Sequence, residues 1–88
     1  MKRGASMYYE FIWTDEILEH LAEHNITPED FEDVVEHPEG RATSASSGSP
    51  AAFGETADGR FIFCAYDLLD DGITVIPRTA YEVRRKRK

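Results

Sequence analysis

His20 and His24 stand four residues apart, His37 follows, and Arg41, Arg60, Arg78 and Tyr81 are spread through the second half of the 88-residue chain. Two histidines at i and i+4 share a helix face and could grip one metal ion, but Leu21 follows His20, so no zinc-hydrolase HExxH pattern is completed. A histidine lying along the edge of the core is the plainer reading of His24, and no metal or other cofactor is assigned. Cleavage of RNA without a metal asks for less. The 2′-hydroxyl must be positioned and deprotonated, the phosphate charge neutralised and the leaving oxygen protonated, tasks within reach of His, Glu, Tyr, Arg and Lys. Arg41, Arg60, Arg78 and Tyr81 fall in the sheet-forming half, and His20 and His24 can approach them from a helix. Against this, arginines at strand ends commonly pair with carboxylates, and the chain holds 17 Asp and Glu against 10 Lys and Arg.

That charge is uneven. Residues 1–40 carry eleven acids against two bases, and residues 41–88 carry six against eight, within a net charge of -7. An acidic half beside a mildly basic half argues against general coating of nucleic acid by the whole surface, while leaving room for a local basic site. The single cysteine, Cys64, lies in an apolar run with no partner for an internal disulfide, which points to a packed thiol in a reducing compartment. No apolar stretch is long enough for a membrane span, and the beginning of the chain does not read as a secretory signal, so a cytoplasmic location is expected.

The elements that must position these residues are organised around Arg60-Phe-Ile-Phe-Cys-Ala-Tyr-Asp67, the most concentrated apolar run. Asp58-Gly59 precedes it and Asp70-Asp71-Gly72 follows it, turn signals that demand positive φ and predict an antiparallel meander of Ala51–Thr56, Phe61–Leu69 and Ile73–Val83. Pro77 cannot donate to a ladder, so the last strand is expected to bend, bulge or lie on an edge there and to re-aim Arg78. Upstream, Tyr8–Trp13 reads as a short first strand. Thr14 caps a helix reaching about His24, with Ile17, Leu18, Leu21 and Ala22 inward. Asn25 ends it in the left-handed region, and Thr27-Pro28 starts a second helix with Phe31, Val34 and Val35 inward and Ile26 stapled to Phe31. His37-Pro38 stops that helix. Glu29, Asp30, Glu32, Asp33 and Glu36 mostly form its solvated face, which could also imitate nucleic acid or dock a basic partner. The small, hydroxyl-rich run 41–50 reads as a loop or short edge strand, since it lacks the lysine and spacing of a phosphate loop.

With Trp13 ahead of an acidic helix, Glu23-His24-Asn25-Ile26-Thr27-Pro28-Glu29 between helices, His37-Pro38 closing the second and Pro77-Arg78-Thr79-Ala80 late in the sheet, the chain resembles the BrnT-like toxin family of bacterial toxin–antitoxin pairs. The resemblance spans most of residues 11–82. It implies a RelE-like fold, metal-independent cleavage of messenger RNA, and an antitoxin partner that blocks it. His24 matches the family's junction histidine, and Arg78 and Ala80 match its Arg-x-Ala segment. Glu23 stands where the family has Lys and Asn25 where it has Gly, and Tyr81-Glu82-Val83 replaces a helical ending.

The expected fold is thus α+β: a short N-terminal strand, two helices, then a three- to four-stranded antiparallel sheet with the helix pair on one face. A flexible start (1–7), one domain (8–83) and a basic tail (84–88) are expected. Arg78 and His24 are the candidate catalytic residues, with Arg41, Arg60 and Tyr81 binding substrate. The alternative is a non-catalytic protein-binding module of the same fold.

Overall fold

Local capping chemistry sets the limits of both helices. In the structure, a computed structural model describing residues 9–43 and 48–83, Thr14 Oγ1 accepts the Ile17 amide at 3.2 Å and α1 runs Asp15–Glu23. Asn25 takes φ 60°, the left-handed conformation an asparagine tolerates. The chain then re-enters a helix at once. Thr27 Oγ1 accepts from the Asp30 amide at 3.1 Å, while the Asp30 carboxylate accepts from the Thr27 amide at 3.2 Å, a closed capping box at the start of α2, Pro28–Glu36. Thr27→Ala should therefore lower stability by about 1 kcal/mol, read as an earlier urea midpoint with an unchanged m-value. A midpoint equal to that of the native chain would show that the box contributes nothing.

Among the described residues five strands complete the α+β fold: β1 (Glu10–Phe11), β2 (Gly40–Thr43), β3 (Pro50–Glu55), β4 (Phe61–Leu68) and β5 (Thr74–Glu82), in the spatial order β1-β5-β4-β3-β2. β2 to β5 are antiparallel neighbours, as the turn signals require, and Gly59 and Gly72 take the positive φ of 92° and 73° on which those turns depend. Asp71 anchors the second turn by accepting from the Ile73 and Thr74 amides, both at 2.9 Å, which holds its carboxyl below the ordinary aspartate range. Two features differ from expectation. The first strand is only two residues long, and it joins the sheet parallel to β5, so the sheet is mixed. The run 41–50 contributes the edge strand β2 before residues 44–47, which lie outside the described residues, as do the expected flexible start and basic tail.

The core lies between the helix pair and one sheet face. Leu21 of α1 and Phe31, Val34 and Val35 of α2 pack with Ala52, Ile62, Cys64, Tyr66, Val75 and Ala80 from the strands. Registers Ala52↔Cys64 and Cys64↔Ala80 put those three on one pleat side, so period-two alternation alone selects them. Burial pushes the Cys64 thiol strongly up, which fits a packed and inert sulfur. Of the four residues expected inward on α1, only Leu21 is buried. Ile17 and Leu18 are half-buried and Ala22 is exposed, because α1 rests chiefly on β5, near the sheet edge. No helix among the described residues is long and apolar enough to cross a membrane.

Candidate functional site at the β5 bulge

Pro77 breaks the ladder where the sequence indicates. Ala65 faces Thr79 but Tyr66 faces Pro77, so β5 carries one extra residue, Arg78, opposite the Ala65–Tyr66 step. A bulge of this kind turns a side chain out of the pleat. The freed guanidinium donates from Nη1 to Asp67 Oδ2 at 2.8 Å, and Asp67 also accepts from the Ser49 hydroxyl at 3.1 Å. Both partners of the ion pair stay open to water, with side chains 59% and 37% exposed. The pair therefore orients Arg78 without occupying the whole fork of five N–H donors that a guanidinium offers.

The parallel pairing of β1 supplies the other wall. Glu10 and Ile12 amides donate to the carbonyls of Ile73 and Val75 at 2.8 and 3.0 Å, so the chain leaves β1 alongside β5 and enters α1 beside the bulge. Thr14, Glu16, Ile17 and His20 from this side meet Pro77 and Arg78 around a cleft of about 360 Å³. Glu16 and His20 stand at i and i+4, one above the other on the helix. Nε2 of His20 lies 2.9 Å from the Thr79 hydroxyl, which fixes the ring against the strand next to Arg78. An imidazole, a carboxylate and a guanidinium thus share one cleft, a set able to move a proton beside an anionic centre.

The expected site residues separate into groups. Arg78 lies in the cleft. His24 does not: it is the exposed C-cap residue of α1, its ring edge-on to that of His20 with centroids 5.3 Å apart. His20 takes the place in the cleft, and the signal for it was the same i, i+4 pair. Arg60 is engaged elsewhere, donating to Asp58, to the Asn25 carbonyl at 2.6 Å and to Asp30 at 3.0 Å, and it ties the β3–β4 turn to the helix junction. The acidic face of α2 is therefore only partly a solvated surface. Glu32 likewise accepts from the Trp13 indole at 2.8 Å. Arg41 belongs to β2, three strand spacings or about 14 Å of sheet from β5, and its guanidinium donates to the Tyr66 hydroxyl and the Val35 carbonyl, both at 3.1 Å. Tyr81 is exposed on β5, two residues beyond Thr79, on the sheet face turned away from the core.

Among the described residues no group of three or more His, Cys, Asp or Glu side chains is arranged to hold a metal ion. Compared with known proteins, the chain matches no family model, no curated protein and no solved structure.

Proposed function

We propose that this chain is an endoribonuclease of the BrnT-like toxin kind, cleaving messenger RNA without a metal in the cleft at the β5 bulge. The observation that carries the reading is the meeting of His20 and Arg78 across one open cleft, each held by a neighbour, Thr79 and Asp67 respectively. In the proposed step the His20 imidazole takes the proton of the ribose 2′-hydroxyl. The 2′ oxygen then bonds to phosphorus as the bond to the 5′ oxygen breaks, and that leaving oxygen takes a proton from a water in the open cleft, whose hydroxide takes back the proton held by the imidazolium. Arg78 donates to the phosphate oxygens as their charge rises, the interaction that counts most in such a transition state. Glu16, one helical turn before His20, lines the same cleft. The family resemblance adds an antitoxin protein as the partner that closes the cleft.

The chemistry predicts its products. Messenger RNA incubated with the purified protein in excess chelator should yield fragments ending in 2′,3′-cyclic phosphate and beginning with 5′-hydroxyl, identified by mass spectrometry. Fragments with 5′-phosphate, or cleavage abolished by chelator, would overturn the assignment. One observation favours the second reading, a non-catalytic protein-binding module: Asp67 already answers the Arg78 charge. That reading predicts a folded protein with no cleavage and a stable protein complex.

A further inference from the structure

Both helices pack on one side of the sheet, and its other side carries an aromatic row. Registers Phe53↔Phe63 and Phe63↔Tyr81 set three rings side by side across β3, β4 and β5. The Phe63 and Tyr81 rings stack at 5.4 Å with 21° between planes, and Phe53 lies 5.8 Å from Phe61. Gly40 lets the row close at the β2 end, since a Cβ there would fall 2.3 Å from the Phe53 ring. At the other end the stack stops at Tyr81, 41% exposed, because β1 pairs only with Thr74 and Val75 and no described strand continues beyond Tyr81.

We infer that this face binds single-stranded RNA, with an unpaired base continuing the Phe63–Tyr81 stack and the strand running on to the cleft. The inference rests on the nuclease reading and gives it a substrate form. Three observations select this occupant. Every base offers a π face to an aromatic platform, whereas a duplex hides its own. Thr79 is two residues from Tyr81, about 7 Å of strand, so a nucleotide stacked at Tyr81 places its neighbour near Arg78 and His20. The last described backbone contact, the Val83 amide to the Phe61 carbonyl at 2.8 Å, lies beside the row, and the sequence continues from there as Arg84-Arg85-Lys86-Arg87-Lys88. Five cations suit phosphates.

The test separates binding from cleavage. A short, mixed-sequence RNA carrying 2′-O-methyl groups has no attacking hydroxyl, so its fluorescence anisotropy reports binding alone. The native chain should bind the single strand, prefer it to the same sequence as a duplex, and lose affinity as salt rises. Tyr81→Ala should weaken binding about tenfold, and Tyr81→Phe, which keeps the ring, should restore it, both with native circular dichroism. Equal affinity of Tyr81→Ala and the native chain, no binding, or a self-paired species in sedimentation that Tyr81→Ala dissociates would each overturn the inference. Binding of the methylated strand without cleavage of unmodified RNA would leave this inference standing and remove the nuclease reading. Cleavage of unmodified RNA with Tyr81→Ala affinity unchanged would do the reverse.

Discussion

Replacing Arg78 by alanine should slow RNA cleavage by roughly 10²–10³-fold, the usual consequence of removing one donor aimed at developing charge. The same substitution should hardly change stability. Its ion pair with Asp67 is solvent-open on both sides, and exposed pairs contribute about 0–1 kcal/mol. This contrast makes the variant informative: a large kinetic loss in a protein with native melting behaviour separates a role in the reaction from a role in the fold. Arg78→Lys should recover only part of the rate, because a lysine supplies charge without the planar fork. His20→Ala should be comparably damaging, by about 10²–10⁴-fold for a lost proton carrier. His24→Ala, at the exposed helix cap, should have a much smaller effect. Initial rates on a labelled RNA, measured beside thermal melts, check all four. If Arg78→Ala cleaves at the native rate, the bulge is not the site.

Phe31→Ala should bring the largest loss of stability, about 3–5 kcal/mol. Phe31 is fully buried at the first turn of α2, and the Trp13 and Phe11 rings meet it edge-on at centroid distances of 5.4 and 6.4 Å. Such aromatic pairs add about 0.5–1.5 kcal/mol each beyond the area they bury. A domain of this length holds only about 4–13 kcal/mol in total, at roughly 0.05–0.15 kcal/mol per residue. The truncated chain should therefore be partly unfolded at physiological temperature, seen as a much earlier denaturant midpoint. Phe31→Leu, which keeps most of the volume, should lose far less. Because Phe11 and Trp13 flank the step from β1 into α1, loosening them should also open the wall that carries His20. A midpoint for Phe31→Ala close to the native one would mean that the aromatic cluster does not hold β1 to α2.

The two effects lie on different links of the same chain of causes. Phe31 fastens the short first strand, the strand lays α1 along β5, and α1 brings His20 to the residue that Pro77 has turned out of the ladder. A sheet with β1 antiparallel, or displaced to the other edge, would hold the same residues and have no cleft at Arg78. Among the described residues the parallel pairing rests on two residue pairs, Glu10↔Thr74 and Phe11↔Val75, so side-chain packing rather than ladder length must maintain it.

What the chain determines locally could be read from it directly. Thr14, Asn25, Thr27-Pro28 and His37-Pro38 limit the helices because each acts within a few residues, through a hydroxyl, a left-handed backbone or a missing amide. Asp58-Gly59 and Asp70-Asp71-Gly72 fold the meander for the same reason, and Pro77 marks the bulge. The choice between His20 and His24 is of another kind. Four residues apart on a helix they differ by only about 40° of rotation, so periodicity cannot rank them, and the side of β5 against which α1 lies decides. The partners of Arg60 and Arg41 are likewise fixed by contacts from the helix junction and from Tyr66, distant in sequence. Short-range chemistry wrote the elements, while the parallel β1–β5 pairing and the placement of α1 over the bulge belong to tertiary structure. Those depend on which buried faces satisfy one another across the whole domain, a sum of many weak contacts that no single stretch of sequence contains.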